Sequence, residues 1–313
     1  MPIPVAHVAG TFAPLQAAPL LIAAALYARR AVTLADKGRP VAPWRQGCFA
    51  AGLLLIAVAL FSPIGHISEE LVLAHMAEHL MIGDLAPILL VLGLTRPLLQ
   101  PILAIPVLDR LRVLAHPAVA LPLWALNLYL WHVPVIYDAA YGNAPLHALE
   151  HTSFIFFGCM MWMPVLGPLP MPAWFGSGWK VGYVISVRFI GAVLGNVLMW
   201  SGSVLYTHYG SGEAYWGISA LADQSTAGVL MMIESTFVTI GVLSWIFFKV
   251  AREGTERQRL LDLAEARGVP LDEARAARAV AAGQGARLER RLLEEAAQGG
   301  APQAEEERTA VPP

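Results

Sequence analysis

Two copies of the motif His-x-x-Glu-His are the groups in this 313-residue chain best suited to bind a metal ion. They are His75-Met-Ala-Glu-His79 and His147-Ala-Leu-Glu-His151. Residues four apart on a helix share one face and lie about 6 Å apart along the axis, so each motif offers two imidazoles to one ion. Imidazole suits copper, zinc and iron alike. The spacing therefore predicts a metal or cofactor site but does not indicate which metal it binds.

Other polar side chains lie in apolar stretches and are candidates for the same site. His132 and Asp223 are predicted to complete or gate it. Glu78 and Glu150 each precede a histidine, so on a helix they project about 100° away from it. We expect each to support a histidine on a neighbouring helix, because a carboxylate that accepts an imidazole proton fixes the tautomer and raises the basicity of the ligand.

The composition indicates that lipid surrounds the elements that carry these residues. The chain is 57% hydrophobic and 14% charged, with a mean hydropathy of +0.56, whereas a soluble domain carries roughly 25% charged residues. Residues 249–313 hold 11 of the 21 Lys and Arg and 12 of the 23 Asp and Glu. We therefore predict a transmembrane domain over 1–248 and a cytoplasmic charged tail over 249–313, partly helical and then disordered in its last dozen residues.

Two further features exclude whole classes of function. A net charge of −2 provides no basic surface for nucleic acid. The two cysteines, Cys48 and Cys159, lie in apolar runs and form no Cys-x-x-Cys pair. Neither a disulfide framework nor a thiolate metal site is therefore predicted.

A membrane-spanning helix needs about 20 mostly apolar residues, and seven stretches of the sequence meet this requirement. The segment 98–114 is apolar but interrupted by Pro101 and Pro106, so we interpret it as interfacial. The expected fold is all-α and polytopic, with seven transmembrane helices. The predicted spans are 12–28, 46–63, 69–94, 117–137, 145–167, 181–203 and 224–248.

The positions of lysine and arginine predict the orientation of these spans. Twenty of the 21 fall on one side, and the last, Arg188, lies inside the sixth span. Because cytoplasmic loops carry an excess of Lys and Arg, we expect the N-terminus outside and the C-terminus in the cytoplasm, in a bacterial plasma (inner) membrane. Eight of the nine histidines, His7 included, then lie outside or in the outer half of the bilayer, and His116 is the exception.

The order of several short motifs resembles a known family. The sequence reads H-M-x-E-H-L at 75–80, A-P at 86–87 and L-G at 92–93, then W-H at 131–132 and Y-D-A-A at 137–140, followed by the second H-x-x-E-H and by D-Q…A-G at 223–228. Together they resemble the CtaG-type family of cytochrome c oxidase assembly factors over roughly residues 15–248. The tail lies outside this resemblance.

The resemblance implies an integral membrane protein that matures haem–copper oxidase by helping copper to reach it, as an assembly factor or metallochaperone and not as an enzyme. Its partners would be oxidase subunits or other assembly factors, together with the lipid bilayer. The positions that match the family's motifs, and thus its implied copper site, are His75, His79, His132, His147, His151 and Asp223.

Three other functions remain open from the residues alone. H-x-x-E-H is also the inverted zinc-protease signature, which predicts an intramembrane zinc metallohydrolase in which Glu activates water. Histidines on two spans are also typical axial ligands of haem in an electron carrier. A receptor or channel without a metal is the third alternative.

The segment 204–222 is a candidate lid or docking surface for the site. Its aromatic residues have a second interpretation, as anchors at the membrane interface. These residues are Tyr206, Tyr209, Tyr215 and Trp216.

Overall fold

The protein is a bundle of helices. The computed structural model describes residues 14–299; His7 and the predicted disordered end of the tail lie outside that range. The chain is 82% helical, and no strand occurs among the described residues. In lipid, a helix satisfies its own backbone hydrogen bonds, which is why apolar stretches of this length fold in this way. The predicted all-α membrane fold is confirmed.

The helices follow one another with short connections. Proline occupies one of the first two positions of α2, α3, α8, α9 and α10, where the missing N–H leaves no bond unmade. The elements are α1 Pro14–Asp36, α2 Pro43–Phe61, α3 Pro63–Ile67, α4 Val72–Leu80, a π-helical turn Met81–Leu85, α5 Ala86–Gly93, α6 Arg96–Leu103, α7 Pro106–Arg110, a 3-10 turn Leu111–Ala115, α8 Pro117–Trp131, α9 Pro134–Tyr141, α10 Ala144–Leu166, α11 Ser177–Trp200, α12 Gly210–Trp216, α13 Ala220–Ala266, α14 Glu273–Ala281 and α15 Gly285–Gly299.

Among the described residues, six helical stretches are long and apolar enough to cross a membrane. The third of them, Val72–Gly93, is continuous through the π-helical turn. Helices α8 and α9 form a seventh such stretch if they are counted as one span, although the angle of the bend between them is 72°. The bend follows from Pro134, which lacks an N–H and disfavours helical geometry in the preceding residue. The fourth predicted span, 117–137, is thus a broken helix.

A close approach of two helices sets the geometry of the bundle interior. Gly158 of α10 lies directly against the carbonyl oxygen of Gly83 in the π-helical turn, and a Cβ at Gly158 would also come within 2.8 Å of Pro87 Cγ. Small residues allow helix backbones in a membrane to approach in this way. The approach holds α10 beside α4 and the π-helical turn, with both helices running in the same direction.

The chain divides into two compact units, and residue 241 begins the second. The second unit contains the end of α13 together with α14 and α15. It has a small apolar core of its own, formed by Leu260, Ala264, Val280, Leu288 and Leu292.

Candidate metal centre

Four histidine rings meet between α4 and α10. His75 and His147 stack with their centroids 5.7 Å apart, and His79 meets His151 edge-on at 5.3 Å. Within each helix the two rings are 4.2 Å apart. The two motifs therefore form one group, and not two separate sites.

The two glutamates of the motifs cross over between the helices. Glu150 Oε1 of α10 lies 3.8 Å from His79 Nε2 of α4, and Glu78 Oε1 of α4 lies 3.8 Å from His151 Nε2 of α10. Each carboxylate thus faces a histidine on the neighbouring helix, as expected, but at 3.8 Å neither pair makes a hydrogen bond, so the supporting role stays a prediction. We call these four histidines and two glutamates the histidine cluster.

Within the histidine cluster, four residues offer ligand atoms that all lie within 4.8 Å of one another: His75, His79, His147 and Glu150. From its sequence position Glu150 was predicted to support a ligating histidine, and not to be a ligand itself. Its position in the second motif indicates that it is near the ligands, because the residue before a buried histidine projects towards the facing helix. His151 pairs with Glu78 beside this set.

The histidine cluster contains an unusual concentration of buried polar atoms without hydrogen-bond partners. At least 90% of buried polar groups in proteins are hydrogen-bonded, so such a concentration calls for an explanation. Nitrogen lone pairs and carboxylate oxygens directed at one another are the donor set of a cation site. The unpartnered atoms are His75 Nε2, Glu78 Oε2, His79 Nδ1 and Nε2, His147 Nε2, Glu150 Oε1 and His151 Nε2.

His132 lies outside this set, next to it. Its Nδ1 lies 2.7 Å from the carbonyl oxygen of Leu128 and donates a hydrogen bond to it, which leaves a lone pair on the buried, unpartnered Nε2. His132 and His79 both pack against the Phe154 ring, at 6.2 and 4.7 Å. His132 therefore lies beside the histidine cluster, at the bend between α8 and α9, and its Nε2 has no hydrogen-bond partner.

The carboxylate of Asp223 is hydrogen-bonded to the backbone of α4. Its two carboxylate oxygens accept hydrogen bonds from the N–H groups of Val72 (2.7 Å) and Leu73 (3.0 Å). These N–H groups belong to the first turn of α4 and have no partner within the helix, so a capping side chain satisfies them. The structure therefore places Asp223 where it positions the helix that carries His75, and not among the grouped ligand atoms.

Three buried tyrosines, the tyrosine cover, pack around His75. The ring of Tyr137 lies 5.0 Å and that of Tyr209 6.4 Å from the His75 ring, and their hydroxyls are 2.5 Å apart. Tyr206 stacks on Tyr137 and donates a hydrogen bond to the carbonyl oxygen of His132 at 3.0 Å. Burial raises the pKa of Tyr206 and of Tyr209, so both hydroxyls stay protonated.

The aromatic residues of segment 204–222 differ in their exposure, and its role as a lid or docking surface stays a prediction. Tyr206 and Tyr209 are each 1% exposed, so the interpretation of these two as interfacial anchors is wrong. Tyr215 and Trp216 are 56% and 50% exposed, as anchors would be. Gln224 tethers the segment, since its Oε1 accepts a hydrogen bond from the Leu205 N–H at 2.7 Å.

The remaining described histidines have other surroundings. His208 lies 3.2 Å from Asp138 in a pair that is more than a third exposed, and the ring of His116 accepts a hydrogen bond from the Ala118 N–H at the start of α8. His66 lies in the short helix α3. None of them belongs to the histidine cluster.

Comparison with known proteins places the chain in a family. No curated protein and no solved structure matches it. The family of the cytochrome c oxidase caa3 assembly factor (Caa3_CtaG) matches residues 25–253, nearly three quarters of the chain. That range includes the histidine cluster, His132 and Asp223. The chain therefore belongs to the Caa3_CtaG family of cytochrome c oxidase assembly factors.

Proposed function

We propose that this assembly factor handles copper as cargo for the oxidase, bound in the histidine cluster. The observation that carries the proposal is the set of seven buried, unpartnered nitrogen and oxygen atoms between α4 and α10. Unpaired polar groups in a low-dielectric interior are costly. A bound cation would give a partner to one ligand atom each of His75, His79, His147 and Glu150, which apolar packing alone does not.

The geometry of the cluster suits one ion after small side-chain rotations. Metal–nitrogen bonds of about 2.0–2.1 Å place two ligand atoms on one ion no more than about 4 Å apart. The ligand atoms of His75, His79, His147 and Glu150 already lie within 4.8 Å of one another. Imidazole and carboxylate ligands accept both copper and zinc, and a role in assembling a haem–copper oxidase favours copper.

The location of the cluster supports transfer to a partner. The lysine and arginine pattern favours a position in the outer half of a bacterial plasma membrane, next to the tyrosine cover. In this proposal copper enters from outside and passes to oxidase subunits or to another assembly factor. The protein then acts as a metallochaperone that makes and breaks metal–ligand bonds only.

Complementation tests the function. In a strain that lacks this gene, the double variant His75→Ala/His147→Ala is expected to restore neither oxidase activity nor oxidase copper, although it inserts into the membrane. The control His66→Ala/His208→Ala removes the same number of imidazoles outside the cluster and is expected to restore both. Full activity with the cluster variant would refute the proposal.

A further inference from the structure

A second group of ionisable side chains lies deeper in the bundle, away from the histidine cluster. Asp84 of the π-helical turn, Arg188 of α11 and Glu234 of α13 have side chains that are only 10–12% exposed. Asp84 is 12 residues after Val72 and Arg188 is 11 after Ser177, about 16–18 Å along their helices. In a hydrocarbon core of about 30 Å, this central charge cluster lies near the middle.

Asp84 neutralises Arg188. Its Oδ2 lies 2.5 Å from Arg188 Nη1 and its Oδ1 lies 3.1 Å from Nη2, so the guanidinium binds it in a bidentate manner. The indole N–H of Trp162 donates a third hydrogen bond to Oδ1 at 2.6 Å. A carboxyl group that accepts three donors through both oxygens is an ionised carboxylate.

Glu234 makes no ion pair as close as this one, and its carboxyl group contacts that of Asp84. Its Oε2 is 3.7 Å from Arg188 Nη1, beyond hydrogen-bond distance, and its Oε1 is buried without any partner. With Arg188 already paired to Asp84, an ionised Glu234 would leave a net charge of −1 near the bilayer centre. A group in that position neutralises itself instead, and a carboxyl group does so by holding a proton.

A cavity of about 60 Å³ adjoins Glu234 and extends to the histidine cluster. Its lining includes Arg188, His79 and His132, and each of these has a buried nitrogen without a partner. One water needs about 10–15 Å³ of such volume and two to four polar partners, so the cavity has room for about four waters. Water there would connect Glu234 to His79 and His132.

We propose that Glu234 is a proton-binding site at the centre of the membrane, a neutral carboxyl group that exchanges its proton with water in this cavity. Protonation of Glu234 does not require bound copper, because its immediate charge balance involves Asp84 and Arg188. His79 and His132 face the same cavity. The assembly factor thereby has a group that can take up and release one proton inside the bundle.

Infrared difference spectroscopy on the full-length protein in lipid nanodiscs tests the site. A neutral carboxyl group shows a C=O stretching band above the amide I region, which an ionised one lacks. We expect the difference between the wild type and Glu234→Gln to show this band, as the component that Glu234 adds to those of the other buried carboxyl groups. In Asp84→Asn, Glu234 becomes the counter-ion of Arg188, so it ionises and the same band disappears although Glu234 is still present.

Two controls accompany these variants. Glu253→Gln, a variant of a glutamate in α13 that is 34% exposed and pairs with Lys249, is expected to keep the band. Transfer of the wild type into D₂O is expected to shift the band, because the proton exchanges with water. A spectrum of Glu234→Gln that keeps the full band would overturn the proposal. So would a band that does not shift in D₂O, since the site would then be sealed from water.

A chemical probe on the unmodified wild type avoids any folding defect of the variants. Dicyclohexylcarbodiimide adds to a protonated carboxyl group: the carboxyl oxygen bonds to the central carbon, the proton moves to nitrogen, and the acyl group then shifts to nitrogen as a stable acylurea. Peptide mass spectrometry is expected to locate this adduct on Glu234. A fully unmodified Glu234 would contradict the proposal.

Discussion

At the scale of single residues, the two glutamates of the repeated motif have the clearest assigned roles. Glu150 and Glu78 each face a histidine of the opposite helix at 3.8 Å, so each joins α4 to α10 electrostatically. Helical periodicity alone predicted this crossover, because a residue that precedes a histidine points away from it. Periodicity could not predict that Glu150 stands close enough to be a ligand, since that depends on the distance between the two helices.

Glu150→Gln is predicted to lower metal affinity about 10- to 100-fold, the range observed when a carboxylate that supports metal ligands is removed. The amide keeps the shape of the side chain but not its charge. Competition titration with a chelator of known affinity measures the change, with Glu253→Gln as the control outside the histidine cluster. Unchanged affinity would remove Glu150 from the site.

Asp223 has a positioning role, which its sequence neighbours do not reveal. Its hydrogen bonds join the start of α13 to the start of α4 across 151 and 150 positions of the chain. No local pattern encodes a cap supplied from so far away. The sequence therefore predicted Asp223 as part of the site. In the structure it lies at the N-terminal end of α4, the helix that carries His75 and His79.

Asp223→Ala is predicted to reduce the free energy of unfolding by about 0.5–2 kcal/mol, the usual effect of losing a helix cap. Metal stoichiometry should be retained, since the histidine cluster keeps its donor atoms. Denaturant unfolding and metal analysis of the same preparation test both statements. Loss of metal at unchanged stability would instead identify Asp223 as a ligand.

At the scale of elements, the site depends on how closely α10 approaches the α4 region. The helices were predictable from apolar length and their histidine faces from spacing, but the contact of Gly158 with the Gly83 carbonyl is tertiary. The bend between α8 and α9 was missed for a local reason. Pro134 lies within an apolar run that is long enough to span, and a proline in such a run either kinks the helix or ends it.

Gly158→Ala is predicted to destabilise the bundle by about 1–3 kcal/mol through overpacking and to weaken metal binding, because the added Cβ forces α10 away from the π-helical turn. Gly182→Ala in α11, where a Cβ meets nothing within 4 Å, is the matched control and should be nearly neutral. Thermal unfolding and metal titration of both variants measure the effects. Equal behaviour of the two would contradict the role of the close approach.

At the scale of the whole molecule, composition and hydropathy were enough to predict a helical membrane protein, since lipid permits few other folds. They could not predict which spans pack together. The tyrosine cover illustrates this limit, because Tyr206 and Tyr209 belong to a segment whose polar and aromatic residues are equally typical of an interface. Their burial follows from the fold around His75, and only the folded chain reveals it.

The central claim is that the histidine cluster of this assembly factor holds copper. Its most direct test is the metal content and visible spectrum of the purified protein, measured beside the His75→Ala/His147→Ala variant. We predict close to one copper per chain in the wild type and none in the variant. Equal copper in both proteins would contradict the claim, as would zinc, a haem band or no metal at all in the wild type.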